Sequence, residues 1–285
     1  MLRIIACASE AAAKSYYTSG LSREDYYSQG QESPGRWGGM GAERLGLHGR
    51  VEQKTFAALC ENRHPKTGAR LTPRQKENRR IGYDLNFHAP KSVSLVHALN
   101  GDERILEIFR ASIDATMREM EAEMKTRVRN QGASGDRMTG NMVWAEFVHF
   151  TSRPVDGVPD PHLHAHCFAF NATYDETEKR WKAGQFGDLK RDAAYYEAAF
   201  HARLSKGLAD LGYGIERRGK GWEIAGVSRE LIERFSRRAE QVEKAAAARG
   251  LKTSRQKDGL AAMTREHKRS ELTRGELRRE WVVIV

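Results

Sequence analysis

Apolar and polar positions alternate most clearly at residues 81–88. A period of two residues is typical of a strand with one apolar and one polar face. The segment is therefore predicted to be a strand that carries Asp84 on its polar face. The apolar positions are Ile81, Tyr83, Leu85 and Phe87, and the positions between them are Gly82, Asp84, Asn86 and His88.

The rest of the chain favours further strands interspersed with helices. Residues 2–8, 142–149 and 162–171 are short apolar or aromatic segments and are predicted to be strands. Helices are expected after Pro90, from about Asp102 to Thr126, and from Tyr195 to Leu211. The glycine-rich residues 28–50 are expected to form a loop, and residues 212–224 a hairpin around Gly219.

Strands and helices without regular alternation favour an α+β fold. From Arg229 onward, helical stretches follow one another, with a break expected near residues 250–259. We therefore expect a core at residues 1–228 and a helical C-terminal region of the same domain at residues 229–285.

The charge of the chain makes a polyanion the expected partner. The 285 residues carry a formal net charge of +10, with 39% hydrophobic and 30% charged residues. No apolar run approaches the roughly 20 residues needed to span a bilayer. Three scattered cysteines fit a reducing cytoplasm. We expect a cytoplasmic protein, without membrane insertion, that contacts nucleic acid.

The basic residues are concentrated in two segments. Residues 63–80 hold seven basic residues and one acidic residue, and residues 229–280 hold fifteen basic and nine acidic residues. A one-signed excess of this kind favours contact with phosphates. A solvated loop and a salt-bridged helical surface are the alternative interpretation.

Histidines recur at every second position in one predicted strand. His162, His164 and His166 would project from one face, because side chains at i, i+2 and i+4 of a strand share a face. Such a cluster predicts a metal site, and imidazole suits zinc, manganese, iron, nickel or copper. Three neutral imidazoles leave the double charge of the ion uncancelled, which suits a Lewis acid that acts on a phosphodiester.

Two tyrosine pairs near the N-terminus, Tyr16-Tyr17 and Tyr26-Tyr27, could pack against other residues or could react. A phenol pKa of roughly 10 leaves little phenolate at neutral pH, so attack on phosphorus needs a nearby cation or base. Asp84 could orient a ligand histidine or accept the tyrosine proton. A solvent-facing role is the alternative for Asp84.

These motifs together resemble the TrwC/TraI-type conjugative relaxases, the MobF class of the HUH endonucleases, over nearly the whole chain. The segments that carry the resemblance are residues 15–17 and 25–27, residues 37–43 and 45–47, residues 82–87 and 89–94, and His149 with Ser152-Arg153 and residues 161–166. The resemblance implies a central antiparallel sheet flanked by helices, with a helical C-terminal region that closes over DNA.

By this resemblance the metal ligands are His149, His164 and His166, with His162 beside them as a competitor. The segment between His149 and His164 is a few residues longer than is usual in the family. His88 stands where the family commonly has a small polar residue, which puts another imidazole near the site. The implied cofactor is one divalent ion, magnesium or manganese physiologically, and zinc, nickel, cobalt or copper could occupy the same site.

The implied reaction is the nicking of one DNA strand. Tyr16 would attack the scissile phosphate of single-stranded DNA at an origin of transfer, which gives a 5′-phosphotyrosine that is later rejoined without ATP. Tyr26 would serve a second transesterification, with Tyr17 and Tyr27 as less favoured nucleophiles, and Asp84 would help take the phenol proton. The expected DNA contacts are Arg74, Lys76, Arg79, Arg80, Lys91 and Arg153.

The implied partner is single-stranded DNA with a hairpin and a nick site, and a monomer is expected to bind it. The resemblance also implies a protein of the bacterial cytoplasm that is transferred with the DNA into a recipient. Relaxosome accessory proteins and a coupling protein are further expected partners.

Three alternatives stay open: a rolling-circle initiator or transposase of the same superfamily, a metal-dependent hydrolase that uses His162 and His164, and a DNA-binding module without catalysis. The tyrosines precede the histidines in the sequence, and this order disfavours the first alternative. A covalent protein–DNA adduct would exclude the other two.

Overall fold

A five-stranded antiparallel sheet forms the centre of the computed structural model, which describes residues 2–11, 13, 33–73, 79–130, 132–264, 266 and 272–284. Its strands are β1 (Leu2–Cys7), β2 (Arg36–Gly38), β3 (Gly82–His88), β6 (Trp144–Thr151) and β7 (Pro161–Phe170), in the spatial order β1-β3-β7-β6-β2. The three central strands are therefore the ones that carry Asp84 and the candidate histidines.

Two-stranded ribbons and helices surround this sheet. The ribbons pair β4 (Lys125–Asn130) with β5 (Ala133–Met138), β8 (Thr173–Asp175) with β9 (Arg180–Lys182), and β10 (Ile215–Arg218) with β11 (Gly221–Ile224). The helices include α1 (Met40–Arg44), α2 (Gln53–Cys60), α3 (Lys91–Asn100), α4 (Glu103–Ala122), α5 (Gly187–Arg191), α6 (Ala193–Asp210), α7 (Arg229–Arg234), α8 (Arg237–Ala248), α9 (Ser254–Met263) and α10 (Arg274–Ile284). Within the described part of the chain, no helix is long and apolar enough to cross a membrane.

Helices α4 and α6 cover one face of the sheet. Apolar residues recur every three or four positions along α4, which gives the helix a buried stripe. The stripe includes Ile105 and Phe109, and it is buried in one cluster with Phe87 of β3 and Phe200 of α6. The packing of this stripe therefore supports the central strands from one side.

The opposite face of the sheet carries a second apolar cluster around α2. Phe56 of α2 contacts Phe147, Phe168 and Phe170, with ring centroids 5.9, 5.6 and 5.2 Å apart. The histidines share this face, because β6 and β7 continue beyond these aromatic residues with the same alternation of side chains. The face thus changes from apolar to imidazole-rich along the two strands.

The C-terminal helices are held against α3 by a third apolar cluster. Leu95 and Ala98 of α3 are buried there with Phe235, Leu277 and Trp281. Trp281 is only 1% exposed, although it lies close to the end of the described chain. Since α3 also contacts β7, the C-terminal region is anchored beside the strand that carries most of the histidines.

The α+β prediction is confirmed, but two local predictions from the core segment are wrong. The helix expected to reach Thr126 ends at Ala122, because residues 125–130 pair with residues 133–138 as a ribbon. Residues 28–50, expected to be a loop, include β2 and α1. Strand β2 extends the sheet by pairing with residues 144–146 of β6, a contact between distant segments that local composition does not show.

In the C-terminal region, the break between helices that was predicted near residues 250–259 is in the wrong position. Helix α9 begins at Ser254 and continues through Gly259, so most of the expected break is helical. Thr253 and Gln256 form a reciprocal capping box, which satisfies backbone N–H groups at the start of α9. This local stabilisation offsets the cost of the glycine inside the helix.

Candidate metal centre and catalytic site

Three strands bring the candidate histidines into one group. His149 of β6 lies directly opposite His164 of β7, and His88 of β3 lies opposite His164 on its other side. His162 and His166 flank His164 at two-residue spacing on β7, so the three side chains project from one face, as the sequence pattern predicts. The group therefore combines residues from distant parts of the chain.

The rings of His149, His164 and His166 are spaced like imidazoles around a common ion. Their centroids are 5.1 Å apart for His149 and His164, 5.1 Å for His149 and His166, and 5.4 Å for His164 and His166. With metal–nitrogen bonds of about 2.0–2.1 Å, three such rings have centroids about 5 Å apart. Among the described residues, no group of three or more His, Cys, Asp or Glu side chains is already arranged to hold an ion. The spacing of the three ring centroids is nevertheless suitable for one shared ion.

Hydrogen bonds define the tautomers of two of these rings. Nδ1 of His166 lies 2.9 and 3.1 Å from the carboxylate oxygens of Asp84, and Nδ1 of His164 lies 2.9 Å from the carbonyl oxygen of His162. Both partners are acceptors, so Nδ1 donates in each case and the lone pair of a neutral ring is on Nε2. A carboxylate that orients an imidazole in this way is typical of metal-binding histidines.

Burial favours the uncharged form of the central imidazoles. Burial lowers the pKa of His164 and of His162 well below the usual value, and neighbouring imidazoles act in the same direction. Neutral imidazole is the form that coordinates metal ions. His149 is 8% exposed and lies within the same shielded group.

His88 and His162 form a second pair beside this group. Nδ1 of His88 lies 3.0 Å from Nε2 of His162, which is a hydrogen bond between two imidazoles. The His88 ring is also parallel to the His164 ring, with centroids 5.5 Å apart. Burial lowers the pKa of His88 to about 3, so its ring is neutral. The additional imidazole predicted from His88 is thus close to the site.

The candidate tyrosines and two of the candidate DNA-binding cations lie outside the described residues. They are Tyr16, Tyr17, Tyr26, Tyr27, Arg74 and Lys76. The closest described residues on either side are 2–11, 13 and 33–38 for the tyrosines, and 71–73 and 79–82 for the two cations. Strand β1 pairs with β3, and Ile5 lies opposite Asp84. The chain therefore enters the tyrosine segment from a strand next to the one that carries Asp84.

The remaining candidate cations differ in their surroundings. Arg80 is exposed and donates to the hydroxyl of Tyr83 at 3.0 Å. Arg79 is half-buried and donates to the backbone carbonyl of Cys60, and burial lowers the pKa of its guanidinium. Arg153 is half-buried in the segment that follows β6. Arg80 is thus the most accessible to a phosphate among the candidates that the structure describes.

Lys91 has a different environment from the one expected for a DNA contact. Its ammonium donates to the carbonyl of Pro161 at 2.9 Å, and burial lowers its pKa to about 8. Asp160 and Glu223 partly counter that shift, and Arg237 adds to it. The lysine is therefore engaged inside the protein, next to the first residue of β7.

Sequence reasoning did not find the charged pair formed by Asp160 and Arg237. The two side chains lie 2.6 Å apart, and Asp160 is 2% exposed. The only local signal was an acidic residue between two prolines, Pro159 and Pro161. The guanidinium partner comes from the C-terminal region, and no sequence spacing indicates that contact.

A buried histidine group on one face of an antiparallel sheet, with a carboxylate bonded to one imidazole, is the architecture that the sequence resemblance implies. The family model described as TrwC relaxase matches residues 10–284. The chain therefore belongs to the TrwC relaxase family. It is also 36% identical over 256 residues to the multifunctional conjugation protein TraI of Escherichia coli strain K12. That match covers 86% of this chain and 14% of TraI, so the chain spans about one seventh of this relative.

Solved structures of conjugative relaxase TrwC share the fold over the whole chain. A copper-bound complex of TrwC with oriT DNA has a TM-score of 0.87 at 34% identity, and the match covers 100% of this chain and 97% of that one. A complex of TrwC with a 27-mer DNA that comprises the recognition hairpin and the cleavage site has a TM-score of 0.85 at 32% identity, with the same coverage. The prediction of a relaxase fold with a central antiparallel sheet is confirmed by these matches and by the strand order.

Proposed function

We propose that this chain nicks and rejoins one DNA strand at an origin of transfer by a metal-assisted tyrosine transesterification in the bacterial cytoplasm. The observation that carries the proposal is the group of His149, His164 and His166, with Asp84 bonded to His166. The family membership supports the same reaction, and the related TrwC structures contain oriT DNA.

Tyr16 is the proposed nucleophile. Its phenolate oxygen forms a bond to the scissile phosphorus, and the bond from phosphorus to the 3′ oxygen breaks. The phenol proton passes to Asp84 or to a neighbouring imidazole, and protonation of the 3′ oxygen gives a free hydroxyl. The phosphotyrosine keeps the energy of the broken linkage, so the reverse attack rejoins the strand without ATP. Tyr26 is proposed to serve a second transesterification, with Tyr17 and Tyr27 as alternatives.

His149, His164 and His166 are proposed to hold one divalent ion. We propose magnesium or manganese in the cell, and zinc, nickel, cobalt or copper can fit the same imidazoles. When bound, the ion supplies positive charge that stabilises the negative charge developing on the phosphate. The Nδ1 hydrogen bonds of His164 and His166 leave Nε2 of each ring as the atom that would bind the ion. His162 is proposed to stay with His88, since those two rings are already hydrogen-bonded.

The proposed DNA is single-stranded, with a hairpin beside the nick site, and it is bound by a monomer. Residues 1–228 are proposed to hold the reaction site, and residues 229–285 to close over the strand as a helical C-terminal region. Arg74, Lys76, Arg80 and Arg153 are the proposed phosphate contacts. Arg79 and Lys91 are omitted because their cationic groups donate to the backbone carbonyls of Cys60 and Pro161. Accessory proteins of a relaxosome and a coupling protein are proposed partners of the complete system.

Incubation with a library of single-stranded oligonucleotides and manganese tests the proposed function. We expect cleavage at one position within a narrow set of sequences, with every cleaved 3′ fragment attached to protein through its 5′ phosphate. Sequencing of the free 3′-hydroxyl fragments defines that position. Random cleavage that leaves 5′ phosphates free would contradict the proposal and would favour a metal-dependent hydrolase.

Asp84→Asn should weaken metal binding while the fold is kept. The substitution preserves the size of the side chain but removes the negative charge that orients Nδ1 of His166 and raises the basicity of the ring. We expect manganese affinity to fall by about tenfold or more, within the 10–100-fold range typical of such partners. Calorimetric titration measures it, with Asp210→Asn, an exposed carboxylate paired with Lys206, as the control. An unchanged affinity in Asp84→Asn would show that the bond to His166 does not support metal binding.

Arg80→Gln should reduce the salt dependence of single-stranded DNA binding. Each phosphate contact contributes a slope of roughly 0.7 in log affinity against log salt. We expect Arg80→Gln to lower the measured slope by about that amount, because Arg80 is exposed. Arg79→Gln should leave the slope nearly unchanged, because that guanidinium donates to Cys60. Fluorescence anisotropy at several salt concentrations measures both, and equal slopes for wild type and Arg80→Gln would place Arg80 away from the DNA.

A further inference from the structure

The pairing between β6 and β7, the strands that carry His149 and His164, is irregular close to the segment that connects them. His149 lies opposite His164, and the next pair toward the connecting segment is Thr151 with Pro161. One residue of β6, Phe150, therefore lies opposite two residues of β7, His162 and Leu163, which is a bulge at residues 162–163. A bulge redirects the side chains beside it and interrupts the ladder that would fix them. The orientation of His164 relative to His149 thus depends on what holds residues 158–163.

Arg237, at the start of α8, holds this segment through Asp160. The Arg237 backbone N–H donates to Oδ2 of Asp160 at 3.0 Å, and Nε donates to Oδ1 at 2.8 Å. Nη2 of Arg237 also donates to the carbonyl of Val158 at 3.1 Å. Charge-assisted bonds of this kind are stronger and more directional than neutral ones. One arginine therefore fixes both a buried carboxylate and the backbone beside it.

Further groups from two helices hold the residues on either side of Asp160. Nε1 of Trp281 in α10 donates to the carbonyl of Pro159 at 2.8 Å. Lys91 of α3 donates to the carbonyl of Pro161, and the Leu163 N–H donates to the hydroxyl of Ser94 at 2.9 Å. The C-terminal region thus supplies bonds to residues 158–160, and α3 supplies bonds to residues 161–163.

We propose that Arg237 and Asp160 are positioning residues for the metal centre: their contact fixes the bulge that aims His164 toward His149. The inference rests on the proposed metal-binding function and assigns a part in it to the C-terminal region. Removing the guanidinium would leave the buried carboxylate without its directly bonded cation, which is strongly unfavourable. The segment would then rearrange to hydrate Asp160, and the bulge at residues 162–163 would lose its fixed position.

The test compares Arg237→Met, Arg237→Lys and Lys244→Met in the full chain, with Co²⁺ as the probe. We expect Arg237→Met to lower Co²⁺ affinity by about tenfold, the lower end of the range for residues that orient metal ligands. The visible d–d bands of bound Co²⁺ should also shift, because they report the ligand geometry. Arg237→Lys, which keeps a cationic donor for Asp160, should recover most of the affinity and the bands. Lys244→Met removes only an exposed pair with Glu240 on the same helix and should match wild type.

A second readout uses the metal-free protein. Backbone amides of residues 150–163 should exchange hydrogen faster in Arg237→Met than in Lys244→Met. If Arg237→Met does not fold, Asp160→Asn, which keeps the size of the side chain and removes the charge that Arg237 binds, should give the same changes to a smaller extent. Wild-type Co²⁺ affinity and bands in a folded Arg237→Met or Asp160→Asn would overturn the inference. A wild-type chain that binds no Co²⁺ would instead overturn the proposed metal centre itself.

Discussion

Tyr16→Phe should abolish formation of the covalent protein–DNA adduct and leave binding of single-stranded DNA nearly unchanged. The substitution removes one hydroxyl oxygen, which is the atom that we propose to bond to phosphorus, and keeps the aromatic ring. Loss of a nucleophile in other enzymes lowers the rate by several orders of magnitude, and we expect a fall of at least about 10⁴-fold here. Denaturing gel electrophoresis with a labelled oligonucleotide measures the adduct, and anisotropy measures binding.

The matched controls for this experiment are Tyr17→Phe and Tyr26→Phe. Each removes the same atom from a neighbouring tyrosine, and we expect both to form the first adduct at rates close to wild type. Tyr26→Phe should fail only in a second strand transfer, which a two-site substrate reveals. Normal adducts from Tyr16→Phe, together with their loss in either control, would move the nucleophile to that other tyrosine.

Single alanine substitutions of His149, His164 and His166 should each reduce metal affinity by more than about 100-fold, beyond the range for residues that only orient ligands. Each substitution removes one of three proposed donors, and the remaining two imidazoles hold a divalent ion weakly. Metal-dependent nicking should fall with the loss of metal. Calorimetry with manganese and metal analysis after dialysis measure the retained ion.

His162→Ala is the matched control for the ligand substitutions, since His162 lies on the same strand face and bonds to His88. We expect it to keep metal affinity within a few-fold of wild type. Loss of metal in His162→Ala, with retention in His149→Ala, would replace the proposed ligand set by the three histidines of β7. Far-ultraviolet circular dichroism of each variant verifies that the fold is unchanged.

Sequence patterns predicted the parts of the site that depend on local spacing. Strict alternation at residues 81–88 identified β3 and placed Asp84 on its polar face, and the structure shows its carboxylate bonded to His166. Two-residue spacing in β7 predicted that His162, His164 and His166 share a face. The spacing of residues in the sequence did not by itself connect His149 to that group of histidines. The family resemblance supplied this residue, and the register of β6 against β7 puts it opposite His164.

Features that depend on contacts between distant segments were not predictable in this way. Strand β2 forms by pairing with β6, whereas the glycines within and around it favour a loop. Lys91 was expected to contact DNA because of its charge, yet its ammonium bonds to Pro161 once α3 packs on β7. Trp281 bonds to Pro159 across more than a hundred residues of sequence. Such contacts are set by packing, which periodicity and composition do not encode.

The central claim is that the chain joins itself covalently to DNA through Tyr16. Mass spectrometry of the protein after incubation with manganese and a cleavable single-stranded oligonucleotide, followed by nuclease and protease digestion, tests it most directly. The account predicts a nucleotide 5′ phosphate attached to Tyr16, absent when a chelator is present. Cleaved DNA with no modified tyrosine would contradict the account in favour of a hydrolase, and bound but intact DNA would leave only a DNA-binding module.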